Sequence, residues 1–129
     1  MKIKNRQMVA IFNGIPEIKK KQLPIKVGFA INKNLAMMET VAKAYEEERA
    51  KILEKYCEKD ENGQPVKNEG EYMLADREGY AKGINELLDI ETDFAVHTVT
   101  LEDIEKCDTG KFDALTPYEL DLLEFMIEE

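Results

Sequence analysis

The residues able to do chemistry are few and scattered. His97 is the only histidine, and Cys57 and Cys107 are the only cysteines. A catalytic nucleophile needs a base within hydrogen-bond reach, and a structural zinc site needs cysteines and histidines in short paired spacings. The sequence has neither a CxxC nor a nucleophile pattern beside His97. Free thiols and a packed or surface histidine are therefore expected. Asp60 to Glu71 lies between two predicted helices and offers oxygens at Asp60, Asn62, Gln64 and Asn68. An EF-hand loop, however, requires glycine at its sixth position and an apolar residue at its eighth. Those positions hold Pro65 and Lys67, which argues against calcium. Lys19-Lys20-Lys21 lacks the interleaved aromatics of a nucleic-acid or membrane contact and reads as a solvated basic turn. There is no Gly-rich phosphate loop, and the carboxylates are spread along helix surfaces. No catalytic, cofactor-binding or metal-ligating residue is assigned, and the expectation is a protein that is not an enzyme and holds no cofactor.

The surrounding elements are predicted by periodicity. Pro24 to Glu58 reads as one long helix, with Ile31, Leu35, Met38, Ala42, Tyr45, Arg49, Ile52 and Tyr56 at alternating steps of three and four. Val27, Met37, Val41, Ala44, Leu53 and Cys57 widen that stripe, so the helix packs on several neighbours. Gly28, which costs about 1 kcal/mol relative to Ala, is read as a kink or a close helix crossing. Glu47 and Lys51 form an i, i+4 pair on its exposed face. Lys59 to Gly70 breaks the pattern with Asn-Gly and Pro, as a turn or small hairpin. Glu71 to Ile90 is the second long helix, with Met73, Arg77, Tyr80, Ile84 and Leu87 on its stripe and Gly79 and Gly83 allowing close approach. The two form an antiparallel hairpin in which Arg49 and Arg77 snorkel to the rim rather than hold an anion.

Shorter elements flank this hairpin. Lys2–Lys4 is a short strand, and Asn5 caps a helix that stops near Asn13-Gly14, ahead of Pro16. Phe94 to Leu101 is rich in β-branched and aromatic residues and is the best strand, with Lys2–Lys4 as its partner. Thr100 opens a short helix that ends at Asp108-Thr109-Gly110. Thr116-Pro117-Tyr118-Glu119 opens a last helix, apolar on most sides and therefore buried, either in this domain or in another chain. The fold class is α+β, mainly α: a long antiparallel helical hairpin with short flanking helices and a small two-stranded sheet, as one domain over 1–129.

Charge is the strongest clue to partners. The net charge is −9. Residues 1–34 carry +7 and residues 35–129 carry −16. Either the basic segment folds over the acidic helices and neutralises them, or the two signs face different partners; the first is the expectation. No apolar run approaches the ~20 residues of a membrane span, and MKIKNRQ lacks the apolar core of a signal peptide. A cytoplasmic protein, with no membrane and no direct nucleic-acid contact, is expected.

LPIKVGFAINKN at the start of the long helix, the EKDENGQPV turn and the closing LTPYELDLLEFMIEE together resemble small phage and prophage proteins of Gram-positive bacteria in a domain-of-unknown-function family. The resemblance runs over most of the chain and carries no catalytic residue to any position. It implies a phage origin, with cytoplasmic or virion-associated placement. The expected function is non-catalytic protein binding as an accessory virion or assembly component, with a homo-oligomer in view. The alternative is an acidic inhibitor of a host defence or nucleic-acid-binding protein, using the acidic surface from Glu39 through Glu129.

Overall fold

The computed structural model describes residues 1–128, so Glu129, the last residue of the expected acidic surface, lies outside the described residues. The elements are β1 (Lys2–Lys4), α1 (Asn5–Lys19), α2 (Ile25–Tyr56), β2 (Lys67–Asn68), β3 (Glu71–Tyr72), α3 (Arg77–Leu88), β4 (Glu91–Asp93), β5 (Val99–Thr100), α4 (Leu101–Glu105), α5 (Pro117–Leu123) and β6 (Ile127–Glu128). The fold is α+β and mainly α. The short Lys20–Pro24 connection turns α2 back along α1, and α3 returns along the distal half of α2. The second pairing is antiparallel: a Cβ on Gly79 would meet Tyr56, and one on Gly83 would meet Ile52. Glycines at these positions let α2 and α3 approach closely.

The core stripe of α2 is as the periodicity predicts. Ile31, Met38 and Tyr45 are buried, and Leu35, Ala42, Ile52 and Tyr56 are half-buried. Arg49 interrupts the stripe at the surface, where its guanidinium lies 3.5 Å from Glu46. Arg77 is exposed as well. Replacing Arg49 with Leu is expected to change stability by less than about 0.5 kcal/mol in thermal unfolding, because an exposed pair of this kind contributes little. A loss of several kcal/mol would mean that the guanidinium is holding buried structure. Lys51 pairs with Glu48 at 3.2 Å rather than with Glu47, an i, i+3 contact in place of the expected i, i+4 one.

Several expected boundaries move, each for a visible reason. The first helix runs through Gly14 and Pro16 to Lys19. Gly14 does not end it, because α5 crosses there: a Cβ at Gly14 would overlap Leu122, with the Tyr118 hydroxyl also in contact range. Pro16 removes one N–H from the ladder, and burial of Ile15 and Ile18 keeps the helix going past it. Lys4 rather than Asn5 is the N-cap. The Asn5 side chain instead donates to the Leu87 carbonyl at 2.8 Å, tying α1 to the end of α3.

The second helix of the hairpin starts at Arg77, not Glu71. Residues 57–75 form a knob at the far end of α2, in which Cys57 pairs with Leu74, Lys59 with Pro65, and β2 with β3. Asp60 caps its own turn by accepting from the N–H groups of Asn62 and Gln64. Its carboxylate is thus engaged by backbone N–H groups of the Asp60–Glu71 span itself.

Among the described residues, the expected single sheet is three separate strand pairs. Antiparallel β4 pairs with β1, in the register Ile3 opposite Thr92. Phe94 to Leu101 therefore does not pair with Lys2–Lys4 along its length. Only Val99–Thr100 is a strand, parallel to Ile127–Glu128. The last helix gives way after Leu123 to a tighter turn and then β6, which brings the chain end beside β5.

The cap expectations at Thr100 and Thr116 hold, and both form reciprocal capping boxes. At the second, Glu119 also meets Lys21 at 2.7 Å while 6% exposed. Burial pushes the Glu119 carboxyl up, but hydrogen bonds from Lys21 and Thr116 together outweigh it and hold it below the usual range. A carboxylate depressed in the folded state adds stability above its unfolded value of about 4.3, and that stability is lost as pH falls through the folded value. Glu119→Gln is expected to cost about 2 kcal/mol near neutral pH, with the gap from the parent closing below about pH 4. A gap unchanged down to about pH 3 would show that the charge of Glu119 is not what stabilises α5.

Candidate interaction surface

The first turns of α2 carry the most unusual surface. Val27, Ala30, Ile31 and Asn34 face the core, so the helical period turns Ile25, Phe29, Asn32 and Ala36 outward. Ile25 is 89% exposed and Phe29 55% exposed. Between this stripe and α1 runs a groove of about 420 Å³, floored by Phe12, Ile15 and Leu35, with Lys19 and Glu39 on its walls. A notch of about 150 Å³ continues it toward Leu23 and Gly28. Gly28 marks no close crossing within the chain, since a Cβ there would meet nothing within 4 Å. Gly28→Ala is thus expected to raise stability by about 1 kcal/mol in chemical denaturation. A loss would mean that the backbone there is held in a way a side chain disturbs.

Other elements fix this surface in place. Asn34 is 1% exposed, and its amide grips the backbone of His97 twice: Nδ2 donates to the carbonyl at 2.9 Å, and Oδ1 accepts from the N–H at 2.8 Å. The clamp sets the His97 ring edge-on to Phe29, with centroids 5.4 Å apart. The Lys33 ammonium lies 5.8 Å from the centre of the same Phe29 ring. Leu101, at the start of the neighbouring α4, is 57% exposed.

The charge asymmetry is neutralised only in part. Among the described residues, three ion pairs cross from the basic segment to the acidic remainder: the Met1 amino group with Asp93 at 2.8 Å, Arg6 with Asp89 at 3.2 Å, and Lys21 with Glu119 at 2.7 Å. Among the described residues, Lys19, Lys26 and Lys33 have no carboxylate within 4.0 Å. The field of Lys26 does reach Asp103, whose carboxyl is held low chiefly by hydrogen bonds from Thr100.

The remaining residues singled out by type lie apart from one another. Cys57 sits in the knob and Cys107 just past α4, both buried and free. Burial pushes the Cys107 thiol up, away from the thiolate needed for reaction. Among the described residues, no group of His, Cys, Asp and Glu is arranged to hold a metal, and no helix is long and apolar enough to cross a membrane. Ile25 and Phe29 carry no motif; their signal in the sequence is that both are apolar yet fall outside the core stripes of their helix. No protein-family model, curated protein or solved structure matches the chain.

Proposed function

We propose that the protein acts by binding another protein, without catalysis, as an accessory or assembly component of a phage particle. The phage setting rests on the resemblance of the chain to phage and prophage proteins. The binding role rests on one observation: Ile25 and Phe29 stand exposed one turn apart on a helix face beside the His97 segment, which hydrogen bonds tie to Asn34 of the same helix. Large apolar side chains grouped on a lysine-flanked face have the composition of an interface anchor. The rival reading, an acidic mimic of nucleic acid, draws on exposed carboxylates of the knob such as Glu58, Glu61, Glu69 and Glu71.

Affinity capture from cells that produce the protein separates the two. A partner retained near 1 M salt and lost on Ile25→Glu with Phe29→Glu supports the apolar face, because screening weakens exposed charge contacts and leaves apolar ones. A partner that washes off at that salt, and is lost instead on Glu61→Lys with Glu69→Lys, would overturn it in favour of the mimic.

A further inference from the structure

The groove between α1 and α2 has a counterpart that the chain fills in part with its own helix. On the other flank of α1, the acidic helix α5 seats Leu122 against Gly14 and latches Glu119 onto Lys21. The α1–α2 groove repeats that chemistry without an occupant: an apolar floor of Phe12, Ile15 and Leu35, and Lys19 at the end where a carboxylate would sit. Lys33 stands beside the exposed stripe, and Gly28 opens a notch between Leu23 and Ile31. Nothing in the packing of the chain requires glycine at that point. Building on the protein-binding role above, we propose that this groove docks an acidic amphipathic helix of a different protein, with one apolar side chain in the Gly28 notch.

Dimensions and charge define the occupant. From Gly28 to Glu39 the groove and its notch follow α2 for roughly 17 Å, which matches a helix of about 11 residues. Its apolar anchors recur at i, i+3 or i+4, and i+7. Its carboxylates lie toward Lys19 and Lys33, and a basic residue lies toward Glu39. A second copy of the chain fits poorly. A two-fold contact across the stripe would set Lys33 near the same lysine of the other copy. The chain's own acidic amphipathic helix, α5, has its apolar side committed to the core through Leu123. An anionic bilayer also fits poorly, since a protein of net charge −9 is repelled by it and the groove is concave with Glu39 on its wall.

The test is an NMR titration of the full chain with a synthetic amphipathic helix of about 16 residues, bearing leucines on one face and glutamates on its flanks. A control peptide carries lysine in place of every glutamate, and vesicles of phosphatidylserine and phosphatidylcholine form a separate arm. The glutamate peptide is expected to bind at least about tenfold more tightly than the control and to shift Phe12, Phe29 and Leu35. Gly28→Leu fills the notch in open space, so it should weaken binding about tenfold while leaving the melting temperature no lower. Lys19→Gln with Lys33→Gln should cut the preference between peptides to about threefold or less. Equal binding of both peptides, unchanged binding by Gly28→Leu, or binding to vesicles alone would overturn the proposal. A mass of two or more chains by light scattering, abolished by Phe29→Glu, would overturn it in favour of a second copy. If the peptide fails while affinity capture still depends on Ile25 and Phe29, the assigned partner chemistry falls and the protein-binding role stands.

Discussion

Leu123→Ala is expected to lower stability by about 3 to 5 kcal/mol, and the melting temperature by about 10 °C or more. Leu123 is 0% exposed, at the end of α5, and Met126 is equally enclosed just beyond it. The cost combines the lost burial of the leucine with the cavity left behind, and that cavity cannot collapse easily. On one side Leu122 is locked against Gly14, and on the other β6 is paired to β5. Neither neighbour can close the gap without giving up its own contacts. Deleting Tyr118 to Glu129 removes the same core atoms together with the Lys21–Glu119 latch, so it should cause aggregation. Denaturant unfolding followed by circular dichroism measures the first, and sedimentation the second. A substituted or truncated chain as stable as the parent would mean that α5 packs as an appendage and contributes little to the core.

Asn34→Ala is expected to cost about 2 to 4 kcal/mol, the second largest single effect. Truncation leaves the His97 N–H and carbonyl without partners in a half-buried segment, and each such group costs about 1 to 3 kcal/mol. Asn34→Asp should be at least as damaging. A carboxylate can accept from the N–H but cannot donate to the carbonyl, and a buried charge has been added. Hydrogen exchange gives a readout that mere loss of stability would not: the amides of residues 94–98 should lose protection ahead of those in α1 and α2. Uniform loss across the chain would show that the clamp is not local.

The parts of the fold visible in the sequence are those governed by local rules. The α2 stripe follows from periodicity, and the Thr100 and Thr116 boundaries follow from side chains that satisfy orphan backbone donors. The parts that were not visible depend on what lies across the gap. Gly14 and Pro16 are helix breakers by propensity, yet contact with Leu122 and burial of Ile15 and Ile18 override them. Phe94 to Thr98 has strand composition, but its backbone partner at His97 is the side chain of Asn34 rather than a neighbouring strand. No pattern along the chain announces that an asparagine in a helix will stand in for a strand. The interaction surface was half visible: Lys19 and Lys33 belong to the basic segment, whereas Ile25 and Phe29 emerge only once the inward face of α2 is known.

Where the partner touches decides the binding role. Hydrogen–deuterium exchange of the full chain, with and without the partner recovered by affinity capture, reads that directly. Slower exchange confined to the first turns of α2 and the facing side of α1, centred on residues 25–36, is the result expected. Slower exchange centred on the knob at residues 57–75, with residues 25–36 unchanged, would contradict it.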